Sequence, residues 1–241
     1  MTLNILFPVL NEHKRLERGI TACSEYMKEH IRIPYTLTIV DNGSDDDTPE
    51  IAASLEDRIP EVRFIRIEER GVGIAFLTGI LQNEADIVGY MDVDLSTDLS
   101  YLVRMLKAFR DDPDLQYVNG TRFHPRSDTK GRRWYRKITS AGLVFLLKSL
   151  FRMKATDALC GFTFLRKDAA NELVRECSDD KGWFYTVEFL LRAERKGMKI
   201  LDLPVNWTED YDTTVRIFKT IRNYIKQMAG LRKLFREEGI L

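Results

Sequence analysis

The chain has 241 residues, of which 44% are hydrophobic and 31% are charged, enough for one large globular domain with or without appendages. Its 37 basic and 37 acidic residues cancel, which argues against nucleic acid as a partner. The three cysteines lie far apart at positions 23, 160 and 177, which excludes a disulfide framework or a CxxC zinc site and favours a reducing compartment. We expect neither a signal peptide nor a membrane span, because no apolar run approaches about 20 residues.

Segments with strand and helix patterns alternate along the first half of the chain. Apolar and β-branched runs predict strands at 3–9, 36–40, 62–67, 87–91 and 115–121. Spacings of three and four residues, with Pro49 in a first turn, predict helices at 13–31, from Thr48 onward, at 74–81 and at 101–110. This alternation predicts an α/β fold, with a mostly parallel, Rossmann-like sheet flanked by helices.

Polar side chains follow three of the predicted strands where each strand ends. They are Asn11-Glu12, Asp41-Asn42, and the pair Asp92 and Asp94. Ligands bind at the carboxyl ends of strands in such sheets, so we expect one shared site. Asp92 and Asp94 are two residues apart and point the same way, and a Mg²⁺ or Mn²⁺ ion on a diphosphate would offset their repulsion. The alternative is that the pair caps the next helix or is solvated in a loop.

Six motifs in a fixed order resemble those of glycosyltransferase family 2. They are Phe7-Pro8-Val9-Leu10-Asn11-Glu12, the segment 40–48, Arg70-Gly71-Val72-Gly73-Ile74-Ala75, Met91-Asp92-Val93-Asp94-Leu95, Asn119-Gly120-Thr121-Arg122-Phe123 and Asp157-Ala158-Leu159-Cys160-Gly161-Phe162. Within the family they are similar to the branch of dolichyl-phosphate mannose and glucose synthases. The resemblance implies a GT-A fold, a nucleotide-diphosphate sugar donor, Mg²⁺ or Mn²⁺, and inverting transfer to a polyprenyl phosphate.

The resemblance also assigns residues, carried over position by position. It places the donor on Pro8, Asn11, Glu12, Asp41, Asn42, Arg70, Gly73, Asp92, Val93 and Asp94, with Asp92 and Asp94 as metal ligands and Asp94 as a catalytic residue. Three departures favour glucose or another sugar over mannose. Asn42 replaces an Asp of the family, Ser96 replaces a Gln, and the C-terminal R-x-G-x-S-K motif is absent, so that Arg216 is the candidate for its phosphate contact.

The basic residues are concentrated in two blocks. Residues 122–154 contain ten Lys or Arg and one acid, and residues 213–236 contain seven and no acid. A phosphate acceptor is already ionised and needs cations rather than a strong base, so Arg122, Arg132 and Arg136 are predicted phosphate clamps. The alternative is a solvated basic loop.

Two further carboxylates, Asp157 and Glu188, are catalytic candidates, each with a structural alternative. Asp157 would orient a substrate or act as a base, or it would pair with an Arg that holds the loop. Glu188 lies in an otherwise apolar segment and would bind sugar hydroxyls, or it would be a satisfied buried carboxylate.

Two helical segments, 141–151 and 215–236, combine apolar faces with flanking cations and predict contact with a membrane surface. The alternatives are packing on the protein's own core and a homo-oligomer seam. We therefore expect a GT-A domain at 1–212, with a basic acceptor loop and apolar helix at about 122–154, followed by a basic amphipathic helix at 213–241.

Together these features predict a metal-dependent enzyme that moves a hexose from a UDP-glucose or GDP-mannose type donor to polyprenyl phosphate. It would be cytoplasmic and peripherally attached to the inner membrane face. Two alternatives stay open, namely transfer to a sugar hydroxyl of a cell-surface glycan, and a non-catalytic membrane-surface adaptor.

Overall fold

A computed structural model describes residues 1–129, 131–178, 182, 184–208 and 217–241, without the side chains of 217–221. In these ranges seven strands form: β1 (Leu3–Val9), β2 (Tyr35–Asn42), β3 (Val62–Ile67), β4 (Ile87–Met91), β5 (Tyr117–Thr121), β6 (Phe162–Arg166) and β7 (Ile200–Pro204). The same ranges contain eight helices: α1 (Leu16–His30), α2 (Thr48–Arg58), α3 (Val72–Leu81), α4 (Ser100–Asp111), α5 (Trp134–Phe151), α6 (Lys167–Val174), α7 (Phe184–Arg195) and α8 (Ile217–Glu237).

The strands form one sheet in the order β3-β2-β1-β4-β6-β5-β7. All neighbouring pairs are parallel except those of β6, which runs antiparallel to β4 and β5. The predicted mostly parallel α/β sheet is confirmed. The sequence analysis did not predict β6 (Phe162–Arg166) or β7 (Ile200–Pro204).

The sheet carries a hydrophobic layer on each face. Alternate residues of β1 divide between the two layers, with Ile5 and Phe7 on the side of α1, α2 and α4. Leu6 lies on the other side, with residues of α3, α5, α6, α7 and α8. Both faces are therefore covered, and the carboxyl ends of β1, β2 and β4 are left along one edge of the sheet.

Helix α8 packs on the protein's own core through one of its faces. Met228, Leu231 and Phe235 are buried there, and the Phe235 ring meets that of Phe151 in α5 edge to face, with centroids 5.9 Å apart. Of the alternatives for this helix, these three residues therefore follow the one in which the helix packs on the protein's own core. Within the described ranges, no helix combines the length and hydropathy needed to cross a bilayer.

Candidate active site

Asp92 and Asp94 lie on the turn that directly follows β4. The backbone N–H of Asp92 donates a hydrogen bond to the carbonyl of Gly161 at 3.3 Å. A Cβ atom on Gly161 would lie 1.9 Å from Oδ2 of Asp92, so only glycine allows this approach. The chain then turns at Leu95, which adopts φ of +56°. The backbone N–H of Ser96 closes the turn by donating a hydrogen bond to Oδ1 of Asp94 at 2.9 Å. Both carboxylates are thus held at the carboxyl edge of the sheet.

The charge of Asp92 is poorly compensated by the protein around it. Burial and the neighbouring Asp94 raise the pKa of Asp92 from 3.8 to about 7, against the opposing effect of Arg122. A hard divalent cation would supply the missing positive charge, and carboxylate oxygens are the ligands such ions prefer. The described residues contain no cluster of three or more His, Cys, Asp or Glu placed to hold a metal. A cation here would take its remaining ligands from substrate and water.

We expect Asp92→Asn to stabilise the metal-free protein at pH 8 and to stabilise it far less at pH 4. A carboxyl whose pKa is about 7 folded and 3.8 unfolded contributes its full stability below pH 3.8 and loses it as the pH rises through 7. The amide cannot ionise, so the gain should be on the order of 4 kcal/mol at pH 8 and below about 1 kcal/mol at pH 4. Urea unfolding in EDTA at both pH values measures it. An equal effect at the two pH values would contradict the raised pKa, and exposed Asp114→Asn is the control.

The end of β2 presents buried polar atoms that the described residues do not satisfy. Asp41 is fully buried and its Oδ1 accepts the N–H of Ser44 at 3.1 Å. Its Oδ2 has no hydrogen-bond partner among the described residues, although Arg66 lies 3.8 Å away. Asn42 is 1% exposed, and its Oδ1 and Nδ2 atoms likewise have no hydrogen-bond partner among the described residues. Such buried groups suit a ligand that completes their hydrogen bonds.

The loops after β1 and β2 are joined by polar contacts around Asp45. Asn11 donates through Nδ2 to Oδ1 of Asp45 at 2.7 Å and accepts the N–H of Asp45 at 3.0 Å. Arg70 donates to Oδ2 of Asp45 at 2.8 Å and to the carbonyl of Gly43 at 3.2 Å. Asn11, Asp45 and Arg70 thus form one exposed network beside the end of β2.

The remaining residues predicted to bind the donor lie on the same edge or just behind it. Pro8 pairs with Val40 in the β1–β2 register, and buried Gly73 lies in the first turn of α3. Val93 is buried between Asp92 and Asp94, and its carbonyl oxygen would lie 2.0 Å from a Cβ atom on Gly19 of α1. The carboxylate of Glu12 accepts two hydrogen bonds from Arg15, at 2.7 and 2.9 Å.

Asp157 and Arg122 form a buried ion pair next to the aspartates. Nε of Arg122 donates to Oδ2 of Asp157 at 2.7 Å and Nη2 donates to Oδ1 at 3.1 Å. The backbone N–H groups of Arg122 and Leu159 donate to the same carboxylate at 3.2 and 2.9 Å, which fills its acceptor sites. Burial alone would raise the pKa of Asp157, but Arg122 and these hydrogen bonds lower it. The geometry therefore corresponds to the loop-holding alternative for Asp157, and a catalytic base at this position is not supported.

Trp207 links the basic loop to the aspartate turn. Its ring lies 5.6 Å from Cζ of Arg122 and 5.5 Å from Cζ of Arg132, both within range for cation–π contacts. Its backbone N–H donates to the carbonyl of Asp128 at 2.8 Å, and it forms a β-bridge with Thr97. Arg132 also donates to Oγ of Ser140 in α5 at 2.5 Å. Two predicted clamps, Arg122 and Arg132, thus flank one indole, while Arg136 lies in the first turn of α5.

The contacts of Glu188 correspond to its structural alternative rather than to a residue that binds sugar hydroxyls. Its carboxylate is 1% exposed and accepts hydrogen bonds from Ser178 and, at 2.8 Å, from Nε of Arg192. Arg192 in turn donates to Glu238 at 2.8 and 3.1 Å. Glu188 is therefore a satisfied buried carboxylate that ties α7 to the end of α8. Arg216 falls outside the described residues, and its predicted role stays a prediction.

The sequence interpretation missed several residues of the site. Trp207, Asp45 and Arg15 were not singled out, and Gly161 was noted only within a motif. A signal was available for Trp207, since Trp is the best cation–π partner of Arg and the chain contains an Arg-rich loop. None was available for Asp45, whose two neighbours Asp46 and Asp47 have the same side chain.

The family comparison assigns the chain to a class of enzyme. Residues 4–174 match Glycosyl transferase family 2, so the chain belongs to that family and is a glycosyltransferase. This is the family predicted from the motifs. Membership in a family of enzymes favours the predicted enzyme over the non-catalytic adaptor.

Two kinds of relatives stand out within the family. Glycosyltransferase AglD of Haloferax volcanii is 27% identical over 91% of this chain, which spans about a third (35%) of the length of AglD. Dolichyl-phosphate beta-glucosyltransferase of Dictyostelium discoideum is 27% identical over 95% of this chain and 73% of its own length. The mouse enzyme of the same name is 25% identical over 86% of this chain and 67% of its own length.

Solved structures share the fold at low identity. Glucosyl-3-phosphoglycerate synthase from Mycobacterium tuberculosis, in complex with Mn²⁺, UDP and glucosyl-3-phosphoglycerate, superposes with a TM-score of 0.72 at 16% identity. The match covers 96% of this chain and 79% of that chain. The likeness confirms the predicted GT-A fold.

Proposed function

We propose that this glycosyltransferase moves a hexose, with glucose preferred, from a nucleoside diphosphate sugar to a polyprenyl phosphate at a membrane surface on the cytoplasmic side. The observation that carries the proposal is the Asp92–Asp94 pair, which lies at the sheet edge beside a loop rich in Arg and in which the charge of Asp92 is poorly compensated. Such a site favours a dianionic diphosphate brought in with its own cation.

Different residues at the edge of the sheet would bind different parts of the donor. Asp92 and Asp94 would hold Mg²⁺ or Mn²⁺, which when bound would neutralise charge on the departing diphosphate as a Lewis acid. The open Oδ2 of Asp41 would accept an N–H group of the base, and the unsatisfied amide of Asn42 would add a second polar contact. Arg70, held by Asp45, would lie against the nucleoside.

The acceptor would be used as an anion, without a general base. An oxygen of the acceptor phosphate forms the new bond to the anomeric carbon, the bond from that carbon to the diphosphate breaks, and the nucleoside diphosphate leaves. A phosphate near neutral pH has no proton that must be removed first. This agrees with Asp157, whose lowered pKa and four accepted hydrogen bonds make it a poor base. Asp157 instead positions Arg122.

Two further observations support the acceptor and the sugar. The relatives from Dictyostelium discoideum and mouse carry the name dolichyl-phosphate beta-glucosyltransferase, and that name supports glucose and a lipid phosphate here. Helix α5 leads directly from the basic loop and exposes Trp134, Ile138 and Phe145, which suits a loop that works at a membrane surface.

A radiolabelled-sugar assay tests the proposal. The protein is incubated with Mn²⁺ and UDP-glucose or GDP-mannose, with polyprenyl phosphate or with a glycan acceptor. We expect label in the organic phase that requires the lipid phosphate, with UDP-glucose as the better donor. Label that stays entirely in water and requires the glycan would establish the alternative acceptor.

We expect the double variant Arg132→Ala with Arg136→Ala to raise the KM for the lipid phosphate at least tenfold and the KM for the donor less than twofold. Charge-assisted hydrogen bonds from Arg to phosphate contribute roughly 1.5–3 kcal/mol each, and the donor relies on other residues. Steady-state kinetics with each substrate varied in turn measures both constants. Arg104→Ala with Arg110→Ala, two exposed residues of α4, is the control. Equal effects on the two constants would contradict a phosphate clamp.

A further inference from the structure

A groove runs between helices α5 and α8, and no step proposed above uses it. Its volume is about 590 Å³, and its lining residues are Leu146, Leu150, Ile225, Met228, Ala229, Arg232, Lys233, Arg236 and Glu237. The floor is apolar and the rim is basic. We call this feature the α5–α8 groove. Its volume lies in the range of small-molecule sites, which suits one flexible chain better than a second protein helix.

Helix α5 also carries an exposed apolar stripe, which ends at Phe145, one residue before Leu146 of the groove. Ile225 on α8 is 51% exposed, and Phe145 on α5 is 68% exposed. Farther along α5, Ile138 and Trp134 are 62% and 73% exposed. Single exposed apolar residues are ordinary, but Trp134, Ile138 and Phe145 are spaced four and seven residues apart and so share one face of α5. A contiguous apolar surface of this kind marks a contact with a partner or a membrane.

The charges around the groove indicate the sign of its ligand. Arg232, Lys233 and Arg236 contribute three positive charges, and Glu237 is the one acid among the lining residues. Glu237 lies 3.7 Å from Lys233, so it offsets only part of that charge. An apolar floor with a cationic rim is complementary to an amphiphile that has an anionic head group.

The groove lies apart from the basic loop. Arg132 of that loop contacts Ser140, whereas Leu146 and Leu150 come six and ten residues later on α5. A helix rises ~1.5 Å per residue, so these two side chains lie roughly 9 and 15 Å farther along the axis. A phosphate held at the basic rim of the groove therefore occupies a different position from one that meets the loop.

We propose that the α5–α8 groove binds one acyl chain of an anionic membrane phospholipid, with its phosphate held by Arg232, Lys233 and Arg236. The occupied groove and the stripe from Trp134 to Phe145 then dock the protein on an anionic bilayer. The inference deepens the proposed function, on which it rests for the presence of a membrane. It does not depend on the sugar or on the acceptor.

Vesicle co-sedimentation of the full chain tests the charge requirement. The vesicles are pure phosphatidylcholine, or phosphatidylcholine with 30% phosphatidylglycerol. We expect at least tenfold stronger binding to the anionic vesicles. Arg232→Glu with Lys233→Glu and Arg236→Glu should lose that preference, because each basic residue at such a surface strengthens binding by roughly fivefold. Arg104→Glu with Lys107→Glu and Arg110→Glu on exposed α4 changes the net charge equally and should retain the preference.

A second arm tests the groove itself with a phospholipid that is monomeric in water. We expect dihexanoyl-phosphatidylglycerol, below its micelle concentration, to bind at one site and dihexanoyl-phosphatidylcholine to bind at least tenfold more weakly. Ala229→Trp fills the groove without changing charge and should abolish this binding. Unchanged binding of dihexanoyl-phosphatidylglycerol by Ala229→Trp would overturn the proposal in favour of surface electrostatics alone. An equal loss of the preference for anionic vesicles in the α4 control would do the same. Concentration-dependent dimerisation that covers the groove would also overturn the proposal.

Transferase activity separates this inference from the proposed function. With a water-soluble, short-chain prenyl phosphate as acceptor, the groove variants should retain at least half of the wild-type rate, because none of their residues has a role in transfer. Normal transfer without selective lipid binding would overturn only the groove. Selective lipid binding without transfer to any prenyl phosphate would overturn only the proposed acceptor.

Discussion

Asp94→Ala is expected to lower metal-dependent transfer about a thousandfold, because it removes one of two carboxylates that would hold the cation on the departing diphosphate. The fold should survive, since the substitution removes one hydrogen bond, from the N–H of Ser96, and also relieves the repulsion that raises the pKa of Asp92. Steady-state rates with Mn²⁺ and donor, together with circular dichroism and urea unfolding, measure both effects.

Asp114→Ala is the matched control for this variant. Asp114 is an exposed carboxylate that precedes β5, at the opposite edge of the sheet, and its loss should change the rate less than twofold. A rate for Asp94→Ala within tenfold of the wild type, at saturating Mn²⁺, would contradict the metal role of this carboxylate.

The largest expected loss of stability comes from Asp157→Ala. It leaves the guanidinium of Arg122, whose side chain is only 7% exposed, without its partner in a buried site. Breaking a buried pair from one side costs about 3–5 kcal/mol, because one charge stays buried and uncompensated. Urea denaturation at pH 7, with matched slopes for wild type and variant, measures the difference in unfolding free energy.

Two further variants test the reason for this loss. Replacing both partners, as Arg122→Met with Asp157→Leu, should cost less than Asp157→Ala alone, since no isolated charge is left. Asp111→Ala breaks an exposed pair with Arg110 and should cost below about 1 kcal/mol. A double variant less stable than the single one would show that packing, rather than the ion pair, dominates at this position.

The edge of the sheet that carries the site followed from local sequence patterns. The strands before Asn11, Asp41 and Asp92 are short apolar runs that end in polar residues, and parallel strands bring such ends together. Local patterns therefore predicted β1 to β5 and placed Asp41, Asp92 and Asp94 on one edge, where the structure has them. The motif resemblance added the family, which the comparison confirms.

The contacts of individual side chains could not be predicted in the same way. Glu188 and Asp157 are both buried carboxylates, and each is paired with an arginine, Arg192 and Arg122 respectively. Arg192 lies one helical turn from Glu188, so that pair could have been predicted from the spacing of the two residues. Arg122 lies 35 residues from Asp157, and its pairing depends on the antiparallel strand β6, which the sequence did not predict.

The most direct test of the central claim is an anomalous diffraction map from a crystal of the protein soaked with Mn²⁺ and UDP-glucose. A manganese peak within bonding distance of Asp94, with the diphosphate beside it and the base at Asp41, is the predicted result. A nucleotide or manganese peak away from the edge formed by β1, β2 and β4 would contradict the account.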